Sequence, residues 1–209
     1  MTHWRNTQIT TKGLWLALCN VVLAIQSGLF AYAHGLNFLQ FYRPSSFLIV
    51  AKESLDALFF FARRAPLRTS GSLYDWIVGI AGLSLPLLFR PVERPFDLGI
   101  GQFLQLGGFL FQILGILSLN RSFGIVAANR GVKTGGLYRF VRHPLYSAYI
   151  IGHIGYLINN LSIRNIVIFV LSTILQLLRA FVEENFLKQD AAYVEYAKRT
   201  RWRLVPFVF

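Results

Sequence analysis

Apolar residues fall into six long segments separated by shorter polar stretches. The segments cover residues 14–33, 47–62, 73–89, 98–119, 144–161 and 163–181. A helix needs about 20 mostly apolar residues to cross a bilayer, and the longer segments meet that length. The first segment exceeds the ~7–15 residues of a signal-peptide core, so we expect it to be a retained helix. The pattern predicts an all-α, polytopic integral membrane bundle of about six spans, or five if the second segment is re-entrant.

The composition agrees with a membrane location. Hydrophobic residues make up 55% of the chain and charged residues 14%, whereas soluble domains carry about 25% charged residues. A length of 209 residues suits a single membrane domain, residues 1–209. Within it, residues 1–119 form the N-terminal spans. Residues 120–209 hold a long polar connection, the last two spans and a polar tail.

The basic residues predict the orientation. Sixteen of the 21 lysines and arginines fall on one side of a six-span chain, and an excess of basic residues marks the cytoplasmic side. Both termini and the polar connection are therefore predicted to be cytoplasmic. The formal net charge of +12 lies at the ends of apolar segments and forms no basic stripe, which argues against nucleic acid as a partner.

Neither a disulfide framework nor metal chemistry is predicted. Cys19 is the only cysteine and lies inside an apolar segment, which leaves no Cys-based metal site. Histidines occur at four positions without the spacing of a metal motif such as HExxH; they are His3, His34, His143 and His153.

The polar stretch from Gly135 to Tyr146 contains the most informative pattern. Pro144 lacks a backbone N–H and biases His143 away from helical geometry, so a helix is predicted to begin at Pro144. Arg142, His143 and Tyr146 would then lie at the first turn of a membrane helix, where free N–H groups and the positive dipole end can hold an anion. The alternative is an interfacial cluster that merely anchors the helix end.

Two carboxylates at the end of the sixth segment are predicted to face this cluster. The turn at residues 159–162 makes the last two spans antiparallel, which brings Glu183 and Glu184 to the same membrane face as His143. A zwitterionic amino acid group needs both a cationic and an anionic partner, and the two ends supply them. The alternative is a solvated helix end in which Arg179 pairs with Glu183 four residues on.

Two features inside the apolar segments are interpreted as structural. Glycines recur every seven residues on one face of the fourth segment, as close helix packing requires; they are Gly101, Gly108 and Gly115. The second segment contains Lys52, Glu53 and Asp56. Lys52 and Asp56 are four residues apart and can pair on one helix face.

Two blocks of sequence resemble a known superfamily. Residues 137–146, LYRFVRHPLY, resemble the RHPxY signature of the isoprenylcysteine carboxyl methyltransferase and phospholipid methyltransferase superfamily. The second block consists of RxxxEExxL at 179–187, DxxYxxY at 190–196 and RxRLxP at 201–206. The resemblance covers about the C-terminal 90 residues.

This resemblance implies a membrane-embedded methyltransferase that uses S-adenosyl-L-methionine. The cofactor would bind from the cytosol, and a lipophilic methyl acceptor would come from the bilayer. The implied cofactor-binding residues are Gly136, Leu137, Tyr138, His143, Pro144, Tyr146, Glu183 and Glu184. The implied catalytic residues are Arg142, Arg179 and Glu183, with Arg179 facing the acceptor. The expected acceptor resembles an isoprenylcysteine carboxylate, while an amine and a thiol remain admissible.

Two other classes of protein are compatible with parts of the sequence. NADPH-dependent membrane sterol or lipid reductases share a His-Pro-x-Tyr turn, but Ser147 and Ala148 stand where those enzymes usually carry Gly-Glu. A small transporter or accessory membrane protein would account for the charges at 52–56 but not for the tail block. The expected location is a bacterial inner membrane, or the endoplasmic reticulum in a eukaryote. The sequence predicts no particular oligomeric state.

Overall fold

The computed structural model describes residues 11–62, 68–93, 96–122, 124 and 126–209. Within them, helices follow one another along the chain as α1 (Thr11–Phe41), α2 (Pro44–Ala62), α3 (Leu73–Ser84), α4 (Gly99–Leu119), α5 (Pro144–Asn159), α6 (Ile163–Leu187) and α7 (Ala191–Arg199). Single 3₁₀ turns occupy Leu85–Leu88, Asn120–Ser122 and Gly136–Arg139. The order of α1 to α6 matches the six predicted apolar segments.

The structure is mostly helical, as predicted, and differs from the prediction in one helix boundary. The helix in the first segment does not end at residue 33 but continues to Phe41. His34 is buried in this extension, and its Nε2 lies 2.7 Å from the Tyr156 hydroxyl, which gives a polar position a partner inside the bundle. The structure also adds two short strands, since β1 (Arg68–Thr69) pairs antiparallel with β2 (Ala128–Asn129). The break expected at Pro86 is present, since α3 passes there into a 3₁₀ turn.

The described helices are those of an integral membrane protein. Three segments are long and apolar enough to cross a bilayer on their own, namely Val21–Phe41, Gly99–Leu119 and Ile163–Leu187. Helix α2 carries three charged residues, and α5 is 16 residues long. The count of six spans and the cytoplasmic position of the termini therefore stay predictions.

Connections between helices collect at two opposite ends of the bundle. At one end Arg43 reaches the connections that precede α4 and α6, because its guanidinium pairs with Asp97 at 2.6 Å and donates to the Asn159 carbonyl at 2.7 Å. At the other end β1 and β2 join the α2–α3 and α4–α5 connections. This alternation is what consecutive antiparallel helices produce, and it places the start of α5 and the end of α6 at the same end of the bundle.

Helices α4 and α5 pack against each other through the predicted glycine face. A Cβ added at Gly101 would meet Asn159, one at Gly115 would meet Leu145, and one at Gly108 would lie 2.5 Å from the backbone nitrogen of Gly152. The interpretation of these glycines as packing residues is confirmed. The consequence is a fixed position for α5, whose first turn carries the RHP sequence.

Gly108→Ala tests this packing. Backbone cannot move aside as a side chain can, so we expect a loss of about 1–3 kcal/mol of stability. Thermal unfolding in detergent measures it. Gly107→Ala is the matched control, because a Cβ there meets nothing within 4 Å and alanine favours a helix over glycine. Equal stability of the two variants would contradict the close α4–α5 contact.

Candidate active site

The start of α5 is held by the C-terminal tail. The backbone N–H groups of Arg142 and His143 donate to the carbonyls of Trp202 and Arg203, at 2.9 and 2.8 Å. The Ser147 hydroxyl donates to the Leu204 carbonyl at 2.6 Å. Pro144 begins the helix as predicted. The two N–H groups that precede it are not free to hold a ligand anion, because the tail occupies them.

Glu184 is the carboxylate at this helix start. Its Oε1 lies 3.1 Å from Arg142 Nε and 3.2 Å from His143 Nε2, and its Oε2 accepts from Arg203 Nε at 3.1 Å. The Glu184 side chain is only 1% exposed. With three nitrogen partners, Glu184 ties the RHP segment, the end of α6 and the tail together.

Glu183, by contrast, has capacity left for a ligand. Its Oε2 accepts from the Tyr146 hydroxyl at 2.9 Å and lies 3.8 Å from His143 Nδ1. The His143 and Tyr146 rings are stacked, with centroids 5.3 Å apart. The Glu183 side chain is 35% exposed and lines the cavity described next. The two adjacent carboxylates therefore differ: Glu184 joins three segments of the chain, whereas Glu183 faces the cavity.

A cavity of about 1000 Å³ opens beside Glu183. Its walls come from α3, the 119–133 connection, the start of α5, the end of α6 and α7. Six of the predicted site residues line it, namely Tyr138, Arg142, His143, Tyr146, Arg179 and Glu183. The other four do not line it; they are Gly136, Leu137, Pro144 and Glu184. The structure thus brings the two sequence blocks together around one space.

Gly136 and Leu137 do not line the cavity; they form the turn that places Tyr138 in its lining. Gly136 has a φ of +58°, a conformation that favours glycine. The Leu137 N–H donates to Ser118 Oγ at 3.2 Å, and the Tyr138 carbonyl accepts from the Tyr196 hydroxyl at 2.8 Å. This turn is therefore fixed to α4 on one side and to α7 on the other.

Tyrosines supply much of the polar surface of the cavity. Tyr193 is 3% exposed, and its hydroxyl has no hydrogen-bond partner among the described residues. Burial, aided by the nearby glutamates, raises the pKa of Tyr138 and of Tyr193, so both stay protonated at neutral pH. A buried hydroxyl without a partner is costly. Tyr193 is thus a donor that a bound molecule can satisfy.

Arg179 lines the cavity and contacts residues inside the bundle. Its guanidinium lies 5.0 Å from the centre of the Tyr146 ring and donates to Gln176 Oε1 at 3.1 Å. Gln176 in turn donates to the Gly82 carbonyl at 3.1 Å. A Cβ at Gly82 would collide with the Arg179 side chain. The absence of a side chain on α3 is what allows Arg179 to take this position.

Beyond Arg179 lies a buried polar cluster on α2. Lys52 Nζ donates to Glu53 at 2.6 Å and to Asp56 at 3.0 Å, and Gln112 of α4 donates to Asp56 at 2.6 Å. The predicted Lys52–Asp56 pair is confirmed. Tyr149 lines both the main cavity and a smaller space of about 450 Å³ beside this cluster.

Several residues that line the cavity are not among the predicted site residues. Tyr149 lies three residues after Tyr146, and Tyr193 and Tyr196 are also three apart, so in each pair both rings share one helix face. This spacing, and for Tyr193 and Tyr196 the DxxYxxY block, is the sequence signal that could have found them. Asp75 and Gly79 of α3 also line the cavity. No local pattern marks them, because their place depends on how α3 packs on α6.

These features define the class: a membrane-embedded helical protein in which α3 and the last helices surround a polar cavity. Residues 98–192 match the family model described as phospholipid methyltransferase. This match confirms the resemblance to the superfamily that also contains the isoprenylcysteine carboxyl methyltransferases. Helices α1 to α3 lie outside the matched residues. No curated protein matches the chain.

Proposed function

We propose that the protein is a membrane-embedded methyltransferase that uses S-adenosyl-L-methionine and acts on a lipophilic acceptor. One observation carries the proposal: the residues matched to the phospholipid methyltransferase family supply most of a cavity in which a carboxylate, Glu183, remains available. The same match favours a methyltransferase over a reductase or a transporter. Neither alternative explains why the RHP and EE segments meet.

The cavity fits the proposed cofactor in charge. Arg142, His143 and Glu183 all line the cavity, and Glu183 Oε2 lies 3.8 Å from His143 Nδ1. A zwitterionic methionine group therefore finds both a cationic and an anionic partner there. Aromatic faces such as Tyr146 and Tyr149 favour a positive charge nearby, and a sulfonium is such a charge.

Each residue then has a distinct task. Glu183 binds the cofactor's ammonium or ribose hydroxyls, and the Tyr193 hydroxyl donates a hydrogen bond to a polar atom of the ligand. His143 and Tyr146 contact the methionine part. Glu184 acts as a positioning residue, since it holds the RHP segment against the tail without lining the cavity. Gly136 and Leu137 position Tyr138 in the same indirect way.

When bound, the cofactor supplies a methyl group that is open to in-line displacement. The chain's contribution is to align the acceptor and to exclude water, and positioning of this kind contributes on the order of 7–11 kcal/mol. Arg179 stands between the cavity and the bundle interior. Its permanent charge suits an acceptor carboxylate, which supports an isoprenylcysteine-carboxylate-like acceptor.

The proposed setting is a bacterial inner membrane with the site open to the cytoplasm. The bundle end that holds the cavity is the one that carries the long basic connection, residues 120–143, and the basic tail. An excess of arginine and lysine marks the cytoplasmic side. The cofactor would then bind from the cytosol and the acceptor from the bilayer.

Glu183→Gln tests the site. Losing the charge removes a charge-assisted contact to the cofactor, so we expect the affinity for S-adenosylhomocysteine to fall about tenfold. Transfer of labelled methyl groups from the cofactor to S-farnesylcysteine in vesicles should fall with it. Glu195→Gln is the control, because Glu195 is exposed on α7 and pairs only with Lys198 and Arg199 among the described residues. An unchanged affinity in folded Glu183→Gln protein contradicts the assignment.

A further inference from the structure

An apolar groove runs along the side of α5 that faces away from the cavity. It is called the tail groove below and has about 1350 Å³ of open space. Its walls come from α4, the 137–141 turn, α5, α6 and the C-terminal tail, and Ser147 alone among its lining residues is polar. The lining suits a hydrocarbon chain.

Two exposed arginines are close in the chain to residues that line the tail groove. Arg139 lies in the chain between the groove residues Leu137 and Phe140, and Arg201 lies three residues before Leu204. Neither guanidinium has an ion pair or hydrogen bond to a described residue. The nearby bases Lys198 and Arg199 differ, because both pair with Glu195.

Large apolar side chains are exposed in the same two chain segments. Phe140 is 65% exposed, Phe207 85% and Val208 77%. Exposed phenylalanine and aliphatic side chains can enter the boundary between lipid headgroups and acyl chains. The tail groove therefore passes from an apolar floor on α5 to a rim of aromatic and cationic groups, which matches the order of chain and headgroup in a lipid.

We propose that the tail groove binds an anionic phospholipid, with its acyl chain along Ile150 and Ile151 and its phosphate at Arg139 and Arg201. Positive charge without a protein partner beside an apolar channel selects an anionic head over a zwitterionic one. The occupant is not the methyl acceptor, because the tail groove and the cavity share no lining residue. This inference does not depend on the proposed function.

The bound lipid supports the site through the tail. The tail residues that wall the groove are continuous with those that hold the helix start, since Trp202 and Arg203 accept from the RHP backbone and Leu204 accepts from Ser147. Arg203 also donates to Glu184. A lipid that fills the groove holds this tail, and with it the start of α5, in place.

The test measures which lipids stay with the protein. The full chain is reconstituted in equimolar phosphatidylglycerol and phosphatidylcholine with matched acyl chains, purified in mild detergent, and analysed for retained lipid by mass spectrometry. We expect phosphatidylglycerol to be enriched on the order of tenfold. Arg139→Gln/Arg201→Gln should lose this preference, and the control Lys198→Gln/Arg199→Gln should keep it.

A second variant tests the groove itself. Ile151→Trp fills the apolar floor and should reduce the retention of both lipids, whereas the arginine pair changes only the preference. Three outcomes overturn the proposal: no preference in the wild type, a preference that survives the Arg139/Arg201 change, or displacement of the retained lipid by S-farnesylcysteine. The arginines are exposed, so their replacement leaves the fold intact even if the tryptophan variant fails to fold.

Discussion

Arg43→Met should destabilise the protein by about 3–5 kcal/mol. Arg43 and Asp97 have fully buried side chains, and the guanidinium also donates to the carbonyls of Val92 and Asn159. Its loss leaves the Asp97 charge buried with only Ser45 as a polar partner among the described residues. We expect the temperature of unfolding in detergent to fall by many degrees.

The double variant Arg43→Met/Asp97→Asn decides whether charge is the cause. Removing both charges should restore about 1 kcal/mol or more relative to the single variant, as expected for residues in direct contact. The site lies at the opposite end of the bundle, so the folded fraction should bind S-adenosylhomocysteine as the wild type does. A double variant that is no more stable than Arg43→Met would contradict the buried ion pair.

Glu184→Gln should lower the affinity for S-adenosylhomocysteine at least about tenfold, even though Glu184 does not line the cavity. The change weakens charge-assisted contacts to His143 and Arg203, each worth about 1.5–3 kcal/mol. It also leaves Arg142 without its ion-pair partner. The helix start and the tail then lose their common anchor.

Calorimetry and thermal unfolding together separate this role from direct contact. Because Glu184 acts by positioning, its loss should lower stability and affinity in parallel, whereas Glu183→Gln should lower affinity with little change in stability. Glu195→Gln is again the control for removal of a carboxylate. If His143→Ala and Glu184→Gln both left cofactor affinity unchanged in folded protein, the two-block site would be wrong.

Local pattern was sufficient for the order of the helices and for the residues that meet at the site. Pro144 marks a helix start whatever the rest of the chain does. The short 159–162 turn makes α5 and α6 antiparallel, so the start of α5 and the end of α6 lie at the same end of the bundle. The glycine period of α4 likewise reports contact with a neighbouring helix directly. These features depend on near neighbours in sequence.

Features that depend on distant partners could not be predicted. The extension of α1 to Phe41 rests on the contact between His34 and Tyr156, and the β1–β2 pair joins two separate connections. The path of the tail decides that Glu184 contacts Arg203 and that Glu183 lines the cavity. Because the two residues are identical and adjacent, the sequence does not indicate which of them contacts Arg203.

The most direct test of the central claim is a calorimetric titration of the purified wild-type protein in detergent with S-adenosylhomocysteine, with NADPH titrated in parallel. The proposed methyltransferase binds S-adenosylhomocysteine saturably at about one molecule per chain and does not bind NADPH. Binding of NADPH alone would assign the protein to the reductases, and binding of neither would leave the His-Pro turn as a helix anchor.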